Sequence, residues 1–148
     1  MIRIKVASPQ EIHPLPYQKL RDIGTRVLEG EKVKEAKISL AFVDNPTIHR
    51  INNQFLQHDE PTDVITFPMS GDGAKVLEGE LVIGVEVAIE QARERGHSVD
   101  EELFLYVVHG LLHLVGFDDI EDDDRAAMRQ RERYWLEELE LPDIADEG

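Results

Sequence analysis

Apolar positions along the chain change period several times, and each change marks an element. Ile2, Ile4 and Val6 alternate with Arg3 and Lys5, which predicts a first strand over residues 1–6. Leu20, Ile23 and Val27 recur at helical spacing and predict a first helix that closes near Gly30. Residues 37–43 are rich in β-formers and read as a second strand. Asp44-Asn45-Pro46 then opens a second helix, with proline in its first turn and Ile48, Ile51 and Phe55 along one side. After the polar stretch 57–63, VITFP (64–68) reads as a strand, the glycine-containing stretch 70–79 as a loop, and ELVIG (80–84) as another strand. Val85, Ala88, Ile89 and Ala92 form the stripe of a third helix that ends at Gly96.

The next helix is different in kind. Ser98 and Glu101 stand at the spacing of a capping box. From Leu103 to Val115 there is no polar face, and the only polar side chains are Tyr106, His109 and His113. Such a helix is expected at the centre of the fold, covered on every side, with Gly116 stopping it. A last helix over 122–139 starts with an acidic turn, which suits the helix dipole, and turns Met128, Trp135 and Leu139 inward. Four strands interleaved with five helices predict the α+β class, with helices packed on a small sheet. No repeat, low-complexity tract or long linker divides the sequence, so residues 1–148 are expected to form a single domain.

Composition narrows the chemistry. The chain has 148 residues, enough for one real core, and no cysteine, so disulfides and thiolate metal sites are excluded. The first residues carry charge too early for a signal peptide. The longest uncharged apolar stretch, residues 103–117, is shorter than the ~20 residues of a membrane span. A cytoplasmic protein is therefore the expectation. The formal net charge of −15 argues against non-specific nucleic-acid binding by the whole surface. It is unevenly spread: residues 1–60 hold nine basic and eight acidic side chains, residues 61–148 seven basic and twenty-three acidic. A polyanion would meet the first part more easily.

Candidate chemistry lies in HGLLHLVGFDD, residues 109–119. His109 and His113 are one helical turn apart, so both rings project from the same side and can share a cation, each nitrogen at ~2.0–2.1 Å from it. Gly116 can adopt a positive φ and turn the chain back, which would bring Asp119 in as a third, carboxylate ligand. Three protein ligands leave a position open for water, and Zn²⁺ would lower the pKa of that water to about 7. The alternative is a pair of core histidines with hydrogen-bond partners, because an unpartnered buried ring costs roughly 1–3 kcal/mol. Zinc peptidases with this spacing use H-E-x-x-H, where the glutamate is the base. Here that position is Gly110, which cannot be a base. Hydrolysis of a phosphodiester remains open.

Three stretches together resemble the YbeY family of bacterial rRNA-maturation endoribonucleases. HGLLHLVGFDDIEDDD resembles the family's H-G-x-L-H-L-x-G-Y/F-D-H signature with the acidic helix start that follows it. INNQFLQHDEPTDVITFP resembles the family's asparagine- and P-T-D-containing segment before a strand, and GELVIG its G-D/E-I/L-x-I-x strand. The resemblance covers roughly residues 38–136. It implies an α+β fold with a four-stranded mixed sheet, one zinc-like ion held by three histidines, and action on single-stranded RNA, including the 3′ end of small-subunit rRNA. Small-ribosomal-subunit components are the implied partners; neither membrane nor DNA is expected.

Two departures from the family pattern bear on function. The family's third histidine aligns with Asp119, which is competent as a ligand but adds a negative charge and weakens the ion's Lewis acidity. The family's loop arginine, suited to gripping phosphate, aligns with Leu56. His58 could supply a donor nearby or simply be solvated. Asp59, Thr62 and Asp63 could line the cleft or shape the turn around Pro61, and Asp118 could orient a ligand or cap the turn. His13, His49 and His97 are given no role. For RNA contact the basic candidates are Lys32, Lys34, Lys37 and Arg50. The expectation is thus a metal-dependent endoribonuclease acting through His109, His113 and Asp119; the alternative is a ribosome-assembly module with a structural ion.

Overall fold

The computed structural model describes residues 1–56, 63–71, 73–117 and 121–144, and of Phe55 and Leu56 the backbone alone. Along them run β1 (Ile2–Ala7), α1 (Tyr17–Gly30), β2 (Ala36–Val43), α2 (Asn45–Leu56), β3 (Val64–Pro68), β4 (Leu77–Gly84), α3 (Val85–Arg95), α4 (Val99–Leu114) and α5 (Asp122–Glu138). The strands form one mixed sheet in the order β1-β2-β4-β3. β2 is parallel to β1 and to β4, and β3 runs antiparallel to β4 at the edge. This is the α+β architecture with four strands and five helices that the sequence predicts.

Alternation along the strands sorts the core into two layers. Ile38, Leu40 and Phe42 of β2, with Leu81 and Ile83 of β4, join the buried residues of α1, α3, α4 and α5 in the main core. Val43, Ile65 and Val82 form a smaller cluster with Ile48 of α2 on the other face. α4 lies at the centre of the larger layer, touching α1, α3, α5 and the strands β3 and β4. Each buried leucine or valine there contributes roughly 1.5–3 kcal/mol relative to exposure.

Two glycines let α4 press onto β4. A Cβ on Gly110 would stand 2.7 Å from a methyl of Leu81, and one on Gly79 would stand 2.7 Å from a methyl of Leu114. Gly79 also corrects the expected loop at 70–79. β4 starts at Leu77 rather than at residue 80, with Leu77 in register with Ala36 and Gly79 with Ile38. The glycine that reads as loop is a strand residue made small by the helix above it.

Both ends of α4 are locally determined. The Ser98 hydroxyl accepts from Glu101 N at 3.1 Å, while Ser98 N donates to Glu101 Oε1 at 2.8 Å, so the capping box is complete. At the other end, Gly116 N donates to His113 O at 3.1 Å and Phe117 N to Leu112 O at 2.9 Å. That is a Schellman turn, with Gly116 at φ +115° supplying the conformation other residues resist. The expectation of a helix covered on every side needs one correction. Glu102, Tyr106, His109 and His113 fall on a single polar stripe of α4 at helical spacing. Its first two members are buried, at 0% and 4% exposure, whereas His109 and His113 border a cleft.

Candidate metal centre

The two histidines meet as their spacing predicts. Their Nε2 atoms stand 3.1 Å apart, with the rings nearly perpendicular at 78°. His109 Nδ1 lies 2.5 Å from Glu132 Oε2 of α5, and a carboxylate oxygen can only accept, so the proton sits on Nδ1. Nε2 of His109 is thereby left with its lone pair, facing the other imidazole. Glu132 is itself 1% exposed and is held by Arg129, whose Nη1 donates to both carboxylate oxygens at 2.9 Å. A carboxylate behind a histidine is the usual way a protein fixes the tautomer and orientation of a metal ligand.

The spacing of the two nitrogens matches that of two ligands on one ion. Two nitrogens bound at ~2.0–2.1 Å in a tetrahedral arrangement stand about 3.3 Å from each other, close to the observed separation. Among the described residues no three histidine, aspartate or glutamate side chains gather around one point. Asp119, the expected third donor, and Asp118 lie outside the described residues, as do His58, Asp59 and Thr62.

The cleft in front of the pair has a volume of about 400 Å³ and runs along the edge strand, with Asp63, Thr66, Pro68 and Leu114 among its walls. Asp63 serves both roles suggested for it: it lines the cleft, and its Oδ1 accepts from Val64 N at 2.7 Å where β3 begins. Further up the stripe, burial and then the charge of Glu102 push the Tyr106 phenol far above its ordinary value near 10, so it is a neutral hydroxyl. Glu102 is countered by His97, which contacts its carboxylate, and by Arg95 at 3.7 Å. His97 therefore has a structural role that its sequence position does not announce. His13 likewise pairs with Asp100 at 2.8 Å.

The four basic candidates divide between two faces. Lys32 and Lys34 line a second cleft that also reaches His113. Lys37 belongs to the alternate positions of β2 that face away from the main core, and Arg50 lies on α2, which covers that same face. Glu132 and Arg129, which stand behind the histidine pair, are the residues that the sequence pattern alone does not single out. Glu132 carries a signal, because it interrupts the buried stripe Met128, Trp135, Leu136 of α5.

The family model described as Endoribonuclease YbeY matches residues 5–140. The chain belongs to the YbeY family. A relative from Rhodopirellula baltica, named Endoribonuclease YbeY, is 48% identical over 84% of this chain, which spans 65% of that relative's length. Another of the same name, from Carboxydothermus hydrogenoformans, is 40% identical over 76% of this chain and 78% of its own. A protein of Thermotoga maritima with a known solution structure shares the fold at a TM-score of 0.65 and 29% identity, covering 94% of this chain and 89% of its own. Among the described residues no helix is long and apolar enough to cross a membrane. Membership in the YbeY family sharpens the meaning of Gly110. The position after the first histidine is filled by packing against Leu81, and a glutamate has no room there.

Proposed function

We propose that the chain is a metal-dependent endoribonuclease for single-stranded RNA, acting in rRNA processing, with His109, His113 and Asp119 holding one zinc-class ion. The observation that carries this reading is the pair of Nε2 atoms 3.1 Å apart, one with its tautomer set by Glu132, on the wall of a cleft along the edge strand. The family's description as an endoribonuclease agrees with it. When bound, such an ion supplies a Lewis acid for a phosphoryl oxygen and lowers the pKa of a water to near 7. The chain's own residues do the rest. Glu132 orients His109, Gly110 keeps α4 against β4, and Asp63 and Thr66 shape the wall that a strand of RNA would pass.

A second reading is favoured by Leu56, which stands where the YbeY pattern has an arginine. It is a ribosome-assembly module in which the ion is structural and cleavage is weak. One set of measurements separates the two: metal content and cleavage of a labelled single-stranded RNA, with and without chelator, for wild type, His113→Ala and Leu56→Arg. Wild type should carry stoichiometric zinc and lose cleavage with chelator, and His113→Ala should lose both. Leu56→Arg should cleave roughly ten- to a hundred-fold faster, as a charge-assisted phosphate contact made in the transition state would give. Unchanged metal content in His113→Ala would remove the site. Absence of cleavage in every form, with ribosomal particles still bound, would favour the assembly module.

A further inference from the structure

The cleft along β3 does not end at Pro68. It continues into a second one of about 640 Å³, and Pro68, His113 and Leu114 belong to the walls of both. Three lysines line this continuation: Lys32 and Lys34 from the turn before β2, and Lys75 from the loop between β3 and β4. They come from distant parts of a chain with a net charge of −15, so their convergence is a property of the fold.

The opposing charge nearby is partly spoken for. Among the described residues the wall holds two carboxylates, Glu31 and Glu35. Glu31 Oε2 is bound by Arg131 at 2.5 Å and by the Trp135 indole N–H at 3.1 Å. None of the three lysines is in an ion pair among the described residues. Gly71 and Gly73 have open space where a side chain would stand, so a sugar-phosphate chain can approach closely.

We propose that the Lys32–Lys34–Lys75 cleft binds the phosphates of the RNA strand on one side of the histidine pair. The proposal rests on the RNA reading above and names the path that reading leaves open. Lysine ammonium groups act on phosphate as point charges without reading sequence, which suits a subsite that holds the backbone while the bond is presented elsewhere. The cleft before His109 and His113 follows the edge strand β3, and the lysine cleft begins where that strand ends at Pro68. The lysines would thus flank the reacting phosphate from beyond the Pro68 end of β3.

The test uses two charge-matched double variants: Lys34→Gln with Lys75→Gln in the cleft, and Lys37→Gln with Arg50→Gln on the opposite face. Binding of a labelled single-stranded RNA of about ten nucleotides is followed by fluorescence anisotropy at several salt concentrations. The cleft pair should weaken binding about ten-fold and flatten the dependence of log Kd on log salt by about 1.4, or ~0.7 for each lost phosphate contact. The opposite pair should leave both quantities at wild-type values. Equal weakening by both pairs would reduce the effect to net charge and overturn the proposal, as would no weakening by the cleft pair. Melting temperatures at the wild-type value exclude misfolding as the cause. Cleavage by wild type separates the two readings. If wild type binds through the cleft lysines but cuts nothing, the nuclease reading fails and the subsite stands. If it cuts while the two pairs bind alike, the reverse holds.

Discussion

Glu132 is 1% exposed and accepts from both His109 and Arg129, so removing it should have two separable effects. The first concerns orientation. Glu132→Gln keeps the volume but presents His109 with an amide that can turn its N–H₂ toward the ring, so the Nδ1 proton is no longer imposed. Zinc affinity, measured by competition with a chromophoric chelator, should fall 10- to 100-fold. The second is stability: Glu132→Ala leaves the Arg129 guanidinium in a largely buried place without its partner, at a cost of roughly 3 kcal/mol in chemical denaturation. A Glu132→Gln protein that binds zinc as tightly as wild type would show that the carboxylate supports only the fold. At this scale the sequence was legible where chemistry is rare. Two histidines stand out in an apolar helix, whereas one glutamate among the many charges of α5 does not, unless the stripe Met128–Trp135–Leu136 is traced first.

At the scale of elements, what is decided locally was readable and what is decided across the fold was not. The capping box and the glycine stop of α4 are written within a few residues, and both form. The start of β4 depends on pairing with β2 and on Leu114 lying over Gly79, neither of which a local pattern contains. The same distinction makes the capping box a fair test. Ser98→Ala should destabilise the protein by about 1 kcal/mol, because Glu101 N and the first turn lose their acceptor. The hydrogen bond from the Ser98 backbone N–H, the largest effect, holds the Glu101 carboxyl below its ordinary value near 4.5 against the opposing effect of burial, with lesser help from the Ser98 hydroxyl and His97. A depressed acid stabilises the fold above its unfolded-state value and loses that contribution as pH falls through the folded-state value. The melting-temperature gap between wild type and Glu101→Gln should therefore be present at neutral pH and close as the solution is acidified below about pH 4. A gap that does not change with pH would mean that Glu101 acts through its shape alone.

Charge is where the whole molecule departs most from its linear sequence. Read along the chain, the first sixty residues are nearly neutral and the rest strongly acidic, yet the fold gathers Lys75 from the acidic part beside Lys32 and Lys34, and sends Lys37 and Arg50 to the other face. The protein therefore combines a net charge of −15 with a cleft lined by three lysines, and salt should act on the two in opposite directions. Self-repulsion among the acidic groups works against the compact state, and it weakens as the Debye length falls from about 10 Å at 0.1 M to about 3 Å at 1 M. Sodium chloride over that range should raise the melting temperature by about 2–4 °C, the response to ~1 kcal/mol in a chain of this size. The same additions should loosen RNA held by the proposed lysine subsite, because contacts of lysine with phosphate depend on counterion release. Measured on one preparation, the two curves should cross: a more stable protein that binds its RNA less well. A melting temperature that falls with chloride would mean that attractive ion pairs such as Arg131–Glu31 and Arg129–Glu132 outweigh the repulsion, and that the excess of acid is held too far apart to matter.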